Sequence, residues 1–285
     1  MRALVTGGEG FIGKHLVKKL SSEGWDVSVM DFPFDVTQKG AWSIKLQDID
    51  YIFHLAGYLD NYEEKTEYEK YLNVNVGSVA LMFEVIAEQK LPIKKIIVAS
   101  SQSVYGEGID KKELDNLFPL SMYGASKAAM EDIAMTLSRI HDIPISCLRY
   151  SIVLGAGQTY KDADSRILPC FVDMAKKGEI ITHEDGKQLR DFVDVRDVAD
   201  ATFFAALLPN SQILNVGSGI ATSVLEVAEY IAAQYGAIVT ASGRKRTNTA
   251  RNQIMSINKI QGLGWSPRFT WKNAVDEFIS QSPAA

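Results

Sequence analysis

The sequence predicts an α/β fold, a doubly wound parallel sheet followed by a smaller lobe, and three observations predict it. A short apolar run, Arg2–Thr6, passes directly into a glycine-rich turn and then into a helical repeat. Strand-like and helix-like segments alternate through the first 150 residues, the order that builds parallel sheets. From Ser151 that alternation gives way to short elements and polar loops.

Taken in order, Arg2–Thr6 reads as a buried strand, and Leu16, Val17 and Leu20 give the next segment a helical period. Between them lies Gly7-Gly8-Glu9-Gly10-Phe11-Ile12-Gly13, spaced G-x-x-G-x-x-G. Glycines there allow a tight strand-to-helix turn and the close approach of a pyrophosphate to a helix N-terminus. For the glycines alone, a turn without a ligand is the alternative. Trp25–Met30 is the second strand and ends at Asp31. An acid at that place suits the ribose hydroxyls of NAD and repels the extra phosphate of NADP, although Asp at a strand end also forms ordinary turns. Tyr51–His54, Lys94–Ala99 and Ile143–Tyr150 read as further strands, Asn75–Glu88 and Met122–His141 as helices. Later come a helix over Ile167–Lys177, short elements from Glu179 to Val195, and more from Asn210 to Ala241. The helix Val198–Leu208 and the strand Ile213–Val216 are expected to pack back on the main sheet, so the lobes interleave.

Tyr123 and Lys127 stand at i and i+4, on one helix face, where the ammonium can hold the phenol partly ionised. A phenol so tuned accepts the proton of an alcohol being oxidised. In a chain with this many Tyr and Lys, about 0.8 such pairs arise by chance, so the pair gains weight only from its surroundings. Those are Ser100-Ser-Gln-Ser-Val-Tyr-Gly106, some twenty residues upstream, and the glycine turn.

With these segments and with His54-Leu-Ala-Gly57, Asn75-Val76, Leu148-Arg-Tyr150, Gly155-Ala-Gly-Gln158, Arg190-Asp-Phe-Val-Asp-Val195, Asn215-Val-Gly-Ser-Gly219 and Leu263-Gly-Trp-Ser-Pro267, the chain resembles the extended short-chain dehydrogenase/reductase superfamily. Within it the likeness is to the NAD-dependent sugar-nucleotide epimerases and dehydratases, the UDP-glucose 4-epimerase type. It runs from residue 2 to about residue 275 and implies a Rossmann-type sheet with a small C-terminal substrate-binding lobe. Residues 1–150 would form the NAD-binding domain. Residues 151–285 would form mainly the substrate lobe, with segments around 190–216 returning to the first domain.

The resemblance also implies roles. Ser101, Tyr123 and Lys127 match the catalytic set, with Ser101 bonding the reacting sugar oxygen and Ser103 supporting it. Gly7, Gly10, Phe11, Ile12, Gly13, Asp31, Asp35, Val36, Leu55, Ala56, Gly57, Asn75 and Tyr150 match cofactor-side positions, joined by Tyr123 and Lys127; Asn75 is expected to open its helix. Arg190 and Arg251 match contacts to the substrate's phosphates, for which guanidinium geometry is suited.

Several features separate the possible reactions. In dehydratases of the family Asp-Glu directly follows the first hydroxyl residue of this strand end; the places here are Ser101-Gln102, neither acidic, which argues against dehydration. Asp31 points to an NAD that stays bound, as in an epimerase; a reductase or dehydrogenase of a keto-sugar, using NAD(P), is the alternative. Relatives present an Asn after Arg-Tyr-Phe, whereas this chain has Ile152 in Arg149-Tyr-Ser-Ile152, removing one polar substrate contact. Only three residues separate Asp31 from Asp35-Val36-Thr37, so one α-β unit is expected to be missing or reduced to a loop.

Composition sets the bounds. At 285 residues with 46% hydrophobic and 23% charged side chains, the chain can build a large core. Its net charge of −5 argues against nucleic acid as a partner, the short basic cluster Gly243–Thr247 notwithstanding. No apolar run approaches the ~20 residues of a membrane span. The start of the chain runs straight into the glycine turn, so no secretory leader is expected. Cys147 and Cys170 read as buried reduced thiols of a cytoplasmic protein, and the four histidines form no metal pattern. Small and apolar residues on more than one face of Asn75–Glu88 and Met122–His141 suggest a homodimer through paired helices.

Overall fold

The structure, a computed structural model, describes residues 1–59, 67–159, 167–244 and 250–281. Alternation within β1 (Arg2–Thr6) sends Leu4 to one face of the sheet and Ala3 and Val5 to the other, and each face has its own core. After β1 come α1 (Phe11–Ser22), β2 (Asp26–Met30), α2 (Lys39–Lys45) and β3 (Tyr51–His54). Then follow α3 (Tyr68–Lys70), a π-helical stretch (Tyr71–Gly77), α4 (Ser78–Gln89), β4 (Lys95–Ser101) and a 3₁₀ turn (Gln102–Val104). β5 (Gly108–Lys111), α5 (Met122–His141) and β6 (Ile145–Tyr150) end the first half.

The six-stranded parallel sheet has the order β10-β6-β4-β3-β1-β2, where β10 is Gln212–Val216. Chain order reverses between β1 and β3, which pair at Thr6↔His54, and doubly wound sheets place their ligands at such a switch point. On one face Leu4, Ile52, Ile96 and Val98 pack against Trp42 of α2, Met82 and Phe83 of α4 and Met130 of α5. On the other, Val5, Phe53, Ile97 and Leu148 pack against Leu16 and Leu20 of α1 and against Val198 and Ala201 of α7 (Val195–Leu207).

The shortened β2–β3 connection is as expected on one count and different on another. The sheet ends on β2, but the helical half of the unit survives as α2. Its Trp42 is fully buried and donates its indole N–H to the Val36 carbonyl at 2.8 Å, which fastens the short connection to the core.

The remaining elements are β7 (Ile152–Leu154), α6 (Ile167–Lys176), β8 (Glu179–Thr182), β9 (Leu189–Asp194), α7, β10, β11 (Ala221–Ser223) and α8 (Val224–Tyr235). After them stand β12 (Ile238–Ala241), β13 (Gln253–Met255), α9 (Asn258–Gly262) and α10 (Trp271–Gln281). A second sheet runs β11-β9-β13-β5, with β7 also on β9, and β8 pairs with β12. As expected, α7 and β10 return to the main sheet. The reverse exchange was not anticipated: β5, from the first half of the chain, pairs with β13. Cys147 is buried but Cys170, on α6, is only half-buried, a correction to the expected pair of buried thiols.

Candidate active site

The glycine turn is shaped by what cannot fit there. Gly7 has φ +67°, and a Cβ on it would lie 3.0 Å from the Ala56 nitrogen. A Cβ on Gly13 would lie 2.0 Å from the Gly7 carbonyl oxygen, so α1 presses directly on the turn. Gly10 caps α1 without any side-chain hydrogen bond, and no acid stands in the helix's first turn. The positive end of α1, starting with Phe11 and Ile12, therefore carries no negative side chain of its own, as an anion site requires. Asp31 closes the turn from β2: its carboxylate accepts N–H bonds from Glu9 at 3.0 Å and Phe32 at 2.9 Å.

Across the switch point a buried polar chain orders Leu55-Ala56-Gly57. The Ala56 N–H donates to Thr6 Oγ1, which meets His54 Nδ1 at 2.8 Å; His54 Nε2 meets Ser78 Oγ at 2.9 Å, and Ser78 Oγ donates to the Val74 carbonyl at 2.5 Å. The direction of these bonds places the imidazole proton on Nε2. Burial pushes His54 down to about 3, so the ring stays neutral across the physiological range.

Ser78 also explains a difference from the expected helix. Asn75 does not open a helix; it lies inside the π-helical stretch that precedes α4, where the Val74 carbonyl takes the Ser78 hydroxyl. The Asn75 amide is fully buried, exchanging bonds with the Tyr58 backbone N–H (2.7 Å) and carbonyl (2.9 Å) and donating to Ser126 Oγ (2.8 Å).

The catalytic candidates converge at the C-terminal end of β4. Ser101 accepts the Ser103 N–H at 3.2 Å and donates to Ser103 Oγ at 3.1 Å, so the two hydroxyls form one wall. Ser121 caps α5 by accepting the Gly124 N–H at 3.1 Å. A Cβ at Gly124 would come within 2.5 Å of the Ser103 carbonyl oxygen, so glycine lets the first turn of α5, with Tyr123, pack on that wall. Lys127 Nζ donates to the Ala99 carbonyl at 2.8 Å and lies 5.8 Å from the Tyr123 ring centre. A Cβ on Gly57 would be 3.2 Å from that Nζ, so the lysine faces the ordered 55–57 backbone. Burial lowers Lys127 to about 8, with Glu131 one turn away opposing the shift.

Other predicted residues sit differently. Asp35 is exposed and accepts the Thr37 N–H at 2.8 Å, while Val36 is buried in the core. Tyr150 is buried, with its hydroxyl 2.8 Å from Thr202. Arg190, on β9, and Arg251, two residues before β13, are brought together beside the second sheet. The Arg190 guanidinium donates to the carbonyls of Leu189, Ala250 and Arg251 at 2.6–2.8 Å, and Arg251 pairs with Glu184 at 2.6 Å and Asp185 at 3.1 Å. Of the basic cluster, residues 245–247 lie outside the described residues. Sequence reading missed the buried ion pair of Arg149 with Glu131 at 2.6 Å; its signal was Glu131 at i+4 from Lys127. Among the described residues, no group of His, Cys, Asp or Glu could hold a metal, and no helix is long and apolar enough to cross a membrane.

The model of the NAD dependent epimerase/dehydratase family matches residues 3–217. The chain belongs to that family. Among its relatives, it is 29% identical to the dTDP-L-rhamnose 4-epimerase of Burkholderia thailandensis, over 97% of this chain and 93% of that protein. It is 30% identical to the UDP-glucose 4-epimerase of Lacticaseibacillus casei, over 94% and 92%. The crystal structure of the Thermus thermophilus UDP-glucose 4-epimerase in complex with NAD superposes with a TM-score of 0.89 at 25% identity, covering 98% of both chains. The family and the parallel α/β sheet were thus legible in the sequence motifs.

Proposed function

We propose that this protein is an NAD-dependent epimerase that inverts C4 of a nucleotide-activated hexose through a transient keto sugar. The observation that carries the reading is the convergence of Ser101, Tyr123 and Lys127 beside the glycine turn, with no carboxylate among residues 100–103. Elimination of water would need such an acid; oxidation of an alcohol does not. The names of the relatives support the choice of C4.

The residues present fit NAD. The uncapped N-terminus of α1 and the backbone of Gly7 and Gly10–Gly13 would hold its pyrophosphate, and the Asp31 carboxylate its adenosine ribose. Leu55–Gly57 would line its path, with Asp35-Val36 near the adenine and Tyr150 behind the sheet end. Lys127 would meet the nicotinamide ribose, and Asn75 would set the backbone opposite it. Bound NAD supplies a hydride acceptor and donor. Tyr123 takes the C4 hydroxyl proton and returns it, Ser101 orients that oxygen with Ser103 behind it, and Lys127 favours the ionised phenol. Arg190 and Arg251 are assigned to the substrate's phosphates, Arg251 exchanging its Glu184 and Asp185 partners for them.

The same reading includes a cytoplasmic homodimer built on α4, the stretch before it and α5, where Leu72 and Ile140 are largely exposed; sedimentation at one monomer mass would exclude the dimer. Residues 1–150 would bind the cofactor and 151–285 mainly the sugar nucleotide. Replacing Tyr123 with Phe tests the mechanism. Turnover should fall ~10³-fold with NAD affinity within about threefold of the parent; retained turnover would assign the base elsewhere.

A further inference from the structure

We propose that Ser100, Tyr105, Glu131 and Arg149 are positioning residues that hold the Ser101–Ser103 wall at a fixed offset from Tyr123 and Lys127. The proposal rests on the functional reading above. Ser100 and Tyr105 stand at the two ends of the arc that carries the wall. Ser100 Oγ donates to Glu131 Oε1 on α5. Tyr105 Oη accepts from Arg149 Nη1 at 2.6 Å and donates to Asn215 Oδ1 at 2.7 Å. Arg149, on β6, grips the Glu131 carboxylate with Nε at 3.0 Å and Nη2 at 2.6 Å, and its guanidinium carbon lies 4.7 Å from the Tyr105 ring centre. Both ends of the arc are therefore tied to one carboxylate, a single turn along α5 from Lys127 and two from Tyr123.

No member of this network is more than 3% exposed. A buried ion pair contributes little net stability, whereas it fixes geometry, and here it fixes a strand end relative to a helix. The network also reaches the second lobe. Asn215 Nδ2 donates to the Lys111 carbonyl at the end of β5 and to the Ser256 carbonyl just after β13, both at 2.9 Å. The lobe that carries Arg190 and Arg251 thus shares a rigid joint with the hydroxyl wall.

Removing Arg149 alone would leave Glu131 an unpaired buried charge and threaten the fold, so the two ends are cut instead. Ser100→Ala and Tyr105→Phe keep the Arg149–Glu131 pair and delete one hydroxyl each. Each variant should lower kcat ~10-fold, with KM and NAD affinity within about twofold, because misplacement by a fraction of an ångström acts on the chemical step. Deuterium at C4 should give a larger isotope effect in the variants, since hydride transfer becomes slower than the other steps. Hydrogen exchange, which requires no substrate, should quicken in peptides covering 101–106 and remain unchanged in those covering the C-terminal half of α5. Unchanged kcat together with unchanged exchange in both variants would overturn the proposal. A parent protein inactive on nucleotide sugars would instead overturn the functional reading, and the exchange data would still judge the network.

Discussion

Replacing Lys127 with Met tests whether α5 holds its lysine as an unfavourable buried charge. The side chain is 4% exposed, and its ammonium donates to a backbone carbonyl, that of Ala99, rather than to a carboxylate. Burial lowers its pKa from 10.5 to about 8. Between those values the unfolded chain binds a proton that the folded chain has released, so stability rises with pH through that window. At about 1.4 kcal/mol per pKa unit, the penalty falls from about 3 kcal/mol at pH 8 to about 1 kcal/mol at pH 10, a gain of about 2 kcal/mol. Lys95, which donates to the Asn210 carbonyl at 2.6 Å, is also lowered by burial to about 8 and adds a similar gain. Burial raises Tyr105 to about 12 and moves Tyr150 upward too, and these act in the opposite sense only above pH 10, where the unfolded phenols ionise first. Burial also holds the Cys147 thiol well above its ordinary value, so the unfolded thiol ionises first and offsets part of the gain over the same window. Urea unfolding of the NAD-free protein should therefore show a pH 8 to 10 gain about 2 kcal/mol smaller in Lys127→Met than in the parent. A variant profile as steep as the parent's would mean that Lys127 does not carry a burial penalty in the fold.

Two substitutions address the cofactor cradle. Gly13→Ala forces a Cβ to 2.0 Å from the Gly7 carbonyl oxygen and 2.7 Å from Gly8 Cα. Backbone cannot step aside cheaply, so a loss of about 1–3 kcal/mol by urea unfolding and at least ~10-fold weaker NAD binding by calorimetry are expected. Asp31→Ala removes the acceptor of the Glu9 N–H as well as the proposed ribose contact. It should weaken NAD ~10-fold or more and NADP less, narrowing the preference between them; an unchanged NAD affinity would remove Asp31 from the site.

What could be read from the sequence was what is local. The glycine turn, the Asp31 strand end and the Tyr123/Lys127 face are each set by neighbours a few residues apart, and α5 spans the range its periodicity indicated. The missing strand after β2 was legible because Asp31 and Asp35 are too close to hold one. Contacts made over long separations were not legible. The pairing of β5 with β13 joins residue 108 to residue 253, and nothing in Gly108–Lys111 announces its partner. The spacing of Glu131 from Lys127 is visible in the sequence, but its partner Arg149, on the strand beneath, which makes it the centre of a buried network, is not. The π-helical placement of Asn75 likewise depends on one hydroxyl, Ser78, competing for a backbone carbonyl. Arg190 matched a phosphate position by motif, yet its guanidinium donates to three carbonyls, two of which come from a segment sixty residues away.

Whether the protein is an epimerase is decided by incubating it, purified, with UDP-, dTDP- and GDP-hexoses without added nicotinamide and following C4 by NMR. An epimerase should invert C4 of one of these sugars with co-purified NAD alone and retain the C4 hydrogen in deuterated water. Conversion that begins only when NAD(P)H and a keto-sugar are supplied would contradict that activity and make the protein a reductase.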